Sequence, residues 1–156
     1  MQTLLLAIQV AANLTIVATF LVYWRQLVAM RSQLAAMQQS SRTQGLLTLI
    51  EYLQRPAVSE SRGVLLGLGE TDFKEWTREQ RLAVERAISA YDVAGILIRD
   101  GAIPDAKAIL VDNWGYSIRR CFEIAAPFVT EIRGTRGERY WDDFEWLASQ
   151  VSQSGG

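Results

Sequence analysis

The chain has no histidine among its 156 residues and a single cysteine, Cys121. Without histidine it lacks the commonest general acid–base group, the commonest transition-metal ligand and every histidine-dependent catalytic triad. One cysteine cannot form an intrachain disulfide, and it excludes zinc sites built on several thiolates. Charge is missing too: the net value is −1, so there is no long-range field to draw in nucleic acid. Lysine is almost absent, with only Lys74 and Lys107 among the 16 basic residues. No segment alternates polar and apolar residues long enough to make a strand, and prolines are confined to Pro56, Pro104 and Pro127.

The most informative absence is local. Residues 1–24 carry no charged side chain, and all 16 basic and 17 acidic residues lie between Arg25 and Glu145. Residues 4–24 read LLLAIQVAANLTIVATFLVYW, without Pro or Gly. As a helix this run would be ~31 Å long, matching a hydrocarbon core of about 30 Å. Its eleven Leu, Ile, Val and Phe residues favour insertion by roughly 3–7 kcal/mol before Gln9 and Asn13 are counted against it. Tyr23, Trp24 and Arg25 follow in the order expected at a membrane interface. Two other readings compete: a secretory signal, which would need a basic start and a small-residue cleavage site, and a wholly buried soluble helix, for which the uncharged run is long. Arg25, Arg31 and Arg42 flank the run on its C-terminal side with no acid before Ile50. The positive-inside rule then places the main domain in the cytoplasm.

Self-association is expected at two places. Ala7, Ala11, Thr15 and Thr19 recur every four residues, a small-residue seam along which helices approach closely. Beyond the span, Leu27, Met30, Leu34 and Met37 form about two heptads of an a/d seam, which fades at Ser41 and Gln44. Residues 25–54 read as a stem helix closed by Pro56.

Residues 55–150 read as a helical bundle, and residues 151–156 as a disordered tail. A short helix is expected over 59–66. The glycines at 63, 67 and 69 lack the Lys-Ser/Thr of a phosphate loop and read as a surface turn. Thr77 and Gln80 make a capping box, which opens a helix whose apolar face runs through Val84, Ile88, Tyr91 and Ile98 and which Gly101 terminates. Pro104 and Asp105 start another helix, with Leu110, Trp114, Ile118, Cys121 and Phe122 inward, and Pro127 kinks or restarts it. Gly134 and Gly137 bracket a turn before a last helix over 138–150. The predicted class is all-α: an N-terminal transmembrane helix continuing into a stem helix and a four- to five-helix cytoplasmic bundle.

The stretches YDVAGILIRDGAIP (91–104), WGYSIRRCFEIAAPFVTEIR (114–133) and WDDFEWLA (141–148) resemble a family of small bacterial proteins classed as a domain of unknown function. The resemblance covers about residues 20–150, with Gly95, Gly101, Arg133, Trp141, Phe144 and Glu145 as its best-matched positions. It implies a bacterial inner-membrane protein with one N-terminal membrane helix and a helical cytoplasmic domain. It carries no activity.

Candidate chemistry is thin. Glu138 and Asp142 share a helix face and could hold Mg²⁺ or Ca²⁺, but with Arg139 between them a solvated face is the better account. Glu145 reads as an ion-pair partner of Arg133. Cys121 follows Arg119 and Arg120, which would lower a thiol pKa, yet it falls on an apolar face and reads as buried and structural. Arg136, Arg139 and Trp146 are a candidate partner surface. The sequence therefore points to a non-enzymatic, membrane-anchored interaction or scaffold protein without metal or cofactor. Its expected partners are the lipid bilayer, further copies of itself and an unidentified protein, and nucleic acid is not among them. The alternative is a small pore-forming membrane effector, for example in phage defence, with Gln9 and Asn13 lining the opening.

Overall fold

The computed structural model describes residues 2–103 and 106–154, and the side chains of these except 3–8, 10–13, 17, 153 and 154. Pro104 and Asp105, read as a helix start, lie outside the described residues, as do the side chains of Ala7, Ala11 and Asn13. Among the described residues every regular element is helical: α1 (Gln2–Gln54), α2 (Pro56–Gly67), a 3₁₀ turn (Phe73–Glu75), α3 (Arg78–Arg99), α4 (Ala106–Arg136) and α5 (Asp142–Ser154). No helix among the described residues is long and apolar enough to cross a membrane, so the fold class stands as all-α and the span read over residues 4–24 gains no support from it. The chain divides into two compact units, Met1–Ser41 and Arg42–Gly156.

The first unit is helical throughout its described length, and among its described side chains none is buried: Leu14, Ile16, Phe20, Leu27, Met30 and Leu34 are all exposed. The second unit is the bundle. Here the last turns of α1 bury Leu49 and Leu53, and α3 packs on α2, α4 and α5. Tyr91, Phe128, Phe144, Leu65, Ile88, Leu110 and Ile118 fill the centre. Each such burial contributes about 1.5–3 kcal/mol.

Local chemistry explains most boundaries. Pro56 pushes Arg55 out of the helical region (φ −52°, ψ 137°), which ends α1, and then serves as the first residue of α2, where its missing N–H costs nothing. This helix is longer than the 59–66 expected from sequence. The Thr77–Gln80 capping box is present in full and opens α3. Arg81, one turn on, donates to the carbonyls of Phe73 and Trp76 and ties the 3₁₀ turn to α3. Gly101, at φ 70°, ends α3 as expected.

Three expectations change near the C-terminus. Pro127 does not restart a helix: α4 runs unbroken from Ala106 through it to Arg136, carrying Gly134 with it. The lost hydrogen bond, typically about 3 kcal/mol in a helix interior, is outweighed by the burial of Ala125, Phe128 and Val129 on either side of the proline. The last helix begins at Asp142, not at 138, because Gly137 (φ 109°) and Trp141 (φ 60°) both adopt left-handed backbone. For a non-glycine residue that costs about 1–2 kcal/mol. Trp141 recovers it by burying its indole against Phe128 and Tyr140 and donating Nε1–H to Ser89. The same helix continues to Ser154, so Val151, read as the start of a disordered tail, is helical and half-buried.

Candidate functional site

Among the described residues a dense polar construction surrounds the start of α5. A helix N-terminus leaves backbone N–H groups without partners, and here α3 supplies an acceptor to one of them. From α3, the Asp92 carboxylate accepts the Phe144 N–H at 3.0 Å and so caps α5 from outside the helix. One turn further along, Gly95 lets α3 come into contact with the Asp143 backbone. Arg99 then pairs with the Asp143 side chain at 3.0 Å.

From α4, Arg133 makes three bonds. Its Nε donates to the Tyr140 carbonyl (2.9 Å), Nη1 to Glu145 (2.8 Å) and Nη2 to Asp142 (3.1 Å). The Arg133–Glu145 pair expected from sequence is therefore present. Asp142 is shared by Arg133 and Arg139, and Glu138 lies in the turn before α5 rather than on a helix face with it. Among the described residues no group of three His, Cys, Asp or Glu could hold a metal ion. Burial, reinforced by the charges of Asp143 and Asp142 and opposed by the Phe144 N–H, holds the Asp92 carboxyl above the ordinary carboxylate range.

The candidate partner residues sit at the edge of this construction. Arg136 donates to the Tyr140 hydroxyl at 2.7 Å, stacks on its ring and reaches Glu85 at 4.0 Å. Arg139 is 89% exposed. Trp146 is half-buried against the core and presents only part of its ring.

A second polar feature runs through the interior. The Tyr91 and Ser117 hydroxyls share a hydrogen bond of 2.9 Å, and Ser117 lies 4.0 Å from the Cys121 sulfur. Arg62 of α2 covers the Tyr91 ring, with its Nη1 buried and without a hydrogen-bond partner among the described residues. Cys121 is fully buried, and burial pushes its thiol up to about 11. That agrees with a structural cysteine and removes it as a nucleophile at neutral pH. A shallow cleft of about 330 Å³ lies beside Pro127, lined in part by Asp72, Phe73 and Glu123. Pro127 has no N–H to offer the Glu123 carbonyl, but the Glu123 carboxylate is held by Arg119 and Arg120, and Asp72 caps the 3₁₀ turn.

On α1 the structure places Tyr23, Trp24 and Arg25 as successive exposed residues, with Trp24 stacked on Phe20 one turn earlier. The Thr19 hydroxyl donates to the Thr15 carbonyl at 2.8 Å, within its own helix. These two threonines lie beside Ile16, Phe20 and Tyr23 on one exposed stretch of the helix. Leu27, Met30, Leu34 and Met37 are all exposed.

Asp92, Ser89 and Arg62 were not singled out by the sequence reading. The signal for the first two was present: Ser89, Asp92 and Gly95 recur every three residues, a polar and small strip beside the apolar face of α3. Arg62 had none, since a lone arginine in a short helix reads as surface. Five of the six best-matched positions of the family resemblance, Gly95, Arg133, Trp141, Phe144 and Glu145, converge on the start of α5, while Gly101 ends α3.

No curated protein and no solved structure matches the chain. The family model described as Domain of unknown function (DUF4760) matches residues 7–151, a reach that includes most of α1, and the chain belongs to that family.

Proposed function

We propose that this chain is a membrane-anchored helical interaction protein, held in a bacterial inner membrane by residues 4–24 with its bundle on the cytoplasmic side. The observation that carries the reading is the run of exposed apolar side chains on α1, from Leu14 to Met37, continuous with a first 24 residues that hold no charge. Apolar surface of this extent on a soluble helix needs a cover, and a bilayer supplies one for its first part. The Tyr-Trp-Arg boundary and the basic-only flank of Arg25, Arg31 and Arg42 support the orientation. Binding rather than catalysis is proposed because the titratable groups that stand close together are engaged with one another: Arg133 with Asp142 and Glu145, Arg99 with Asp143, and Cys121 with its thiol suppressed. The second part of the apolar run, beyond Arg25, is proposed to bind further copies of the chain, and the exposed Arg136–Arg139 corner to meet a protein partner.

Membrane fractionation with a carbonate wash tests the anchor. The full-length chain should stay with the membrane, and the chain without residues 1–24 should appear in the soluble fraction. Release of the full-length chain by carbonate would overturn the anchor.

A further inference from the structure

We infer that a second copy of this chain docks on α1 in parallel and in register, along one apolar seam over residues 16–37. The inference deepens the self-association just proposed, and its parallel sense rests on the membrane reading. The heptad spacing of Leu27, Met30, Leu34 and Met37 does not begin at Leu27. Counting backward in alternating steps of four and three reaches Tyr23, Phe20 and Ile16 without interruption. The seam therefore spans three heptads, the shortest length at which an a/d pattern argues for a coiled coil. All of its positions are between 55% and 68% exposed. A sustained 3.5-residue repeat on a 3.6-residue helix drifts and draws two copies into a left-handed supercoil.

The surface beside the seam suits a second helix. Thr19 falls at g, directly beside the Phe20 position of the seam, and is short where its neighbours Ile16, Phe20 and Tyr23 are long. Because the Thr19 hydroxyl is spent on the Thr15 carbonyl, that side chain needs no hydrogen-bond acceptor from a partner. Side chains of a facing helix can enter beside short residues flanked by long ones.

The charges favour a copy of the same chain over a different partner. With Leu27 at position a, Arg25 falls at f and Arg42 at b, both facing away from the seam. Only Arg31, at e, flanks it, and in a parallel pair it faces Gln26 of the second copy at g. No two arginines meet, and no acid on the partner is called for. Counted one step further back, Asn13 also falls at a, where a polar residue fixes register in parallel pairs. The seam thus crosses the Trp24–Arg25 boundary and uses a different helix face from the Ala7–Ala11–Thr15–Thr19 stripe.

Cross-linking of the full-length chain in membranes, through one introduced cysteine at a time, tests this. Cys121, buried and with its thiol pushed up to about 11, leaves the unsubstituted chain as a silent control. Under mild oxidation Phe20→Cys, Leu27→Cys and Leu34→Cys should form symmetric disulfide dimers about tenfold faster than Ala11→Cys, Ser32→Cys and Gln39→Cys, because the bond needs Cβ atoms within about 4 Å. All these sites lie on α1 outside the core, so folding of the bundle is not at stake. Equal rates on both faces overturn the seam, and so does cross-linking confined to Ala11. Dimers at one central position alone would mean an antiparallel pair. A carbonate-resistant chain that fails to cross-link keeps the anchor and loses the seam. A chain that washes off yet cross-links at positions 20, 27 and 34 keeps the seam and loses the anchor.

Discussion

Gly95 of α3 lies so close to Asp143 of α5 that a methyl group in place of its hydrogen would sit 2.7 Å from the Asp143 carbonyl carbon. Backbone cannot yield as a flexible side chain does, so the two helices would have to part. Gly95→Ala should cost about 1–3 kcal/mol, the range for overpacking a tight interior. Gly63, inside α2, has open space at the same position. Gly63→Ala should be neutral or stabilise by up to about 1 kcal/mol through lower chain entropy. Urea denaturation followed by tryptophan fluorescence reads both. Equal effects would mean that α3 and α5 are not held by this approach.

Asp92 combines a useful hydrogen bond with an unfavourable charge. Its carboxyl is held above the ordinary value, chiefly by burial. Between the unfolded and folded pKa values the native state holds more protons, so stability falls as pH rises through that window and stays reduced at neutral pH. Asp92→Asn keeps an oxygen for the Phe144 N–H without the charge. It should match or exceed the parent in stability at pH 7 and lose this falling component of the pH dependence. Asp92→Ala gives up the cap and should cost about 0.5–2 kcal/mol. Denaturation midpoints from pH 4 to 8 decide it, and an Asn variant as weak as the Ala variant would show that the charge itself is needed.

Arg133 serves three acceptors with a planar fork while being only 22% exposed. Lysine retains the charge but not the geometry. Arg133→Lys should therefore lose roughly 1–3 kcal/mol, most of what Arg133→Met loses. Glu145→Gln, at a half-exposed partner, should change stability by less than about 1 kcal/mol. Thermal melts of the three variants rank them. A lysine variant as stable as the parent would reduce Arg133 to a generic surface cation.

Cys121 should be silent to thiol reagents in the folded protein. With its thiol pushed up to about 11, only about one molecule in a thousand carries thiolate at pH 8, and the sulfur is fully buried. An aromatic disulfide reagent should titrate no thiol in native buffer and one in strong denaturant. Rapid labelling of the native chain would mean that the α3–α4 interior opens.

Much of this architecture is written in short-range signals. The all-α class follows from three- and four-residue apolar spacing. The start of α3 follows from Thr77 and Gln80, its end from Gly101, and the break after α1 from Pro56, because each acts on backbone within a turn of itself. The Arg133–Glu145 pair was legible because the residues carry opposite charge and flank a single turn. The uncharged first 24 residues likewise belong to the sequence itself.

Tertiary structure decided what depends on residues far apart in the chain. Pro127 is a helix breaker by local rule, yet with Phe128 and Val129 buried beside it α4 continues past it to Arg136. Trp141 holds a left-handed backbone that its own preference opposes, because Ser89, Tyr140 and Phe128 hold its ring, and this moves the start of α5 to Asp142. Asp92 reads as an ordinary surface acid until α5 arrives to be capped. Local propensities are worth tenths of a kcal/mol to about 1 kcal/mol per ordinary residue and about 3 kcal/mol for an interior proline, and several buried side chains together contribute more. Where the two disagree, packing prevails.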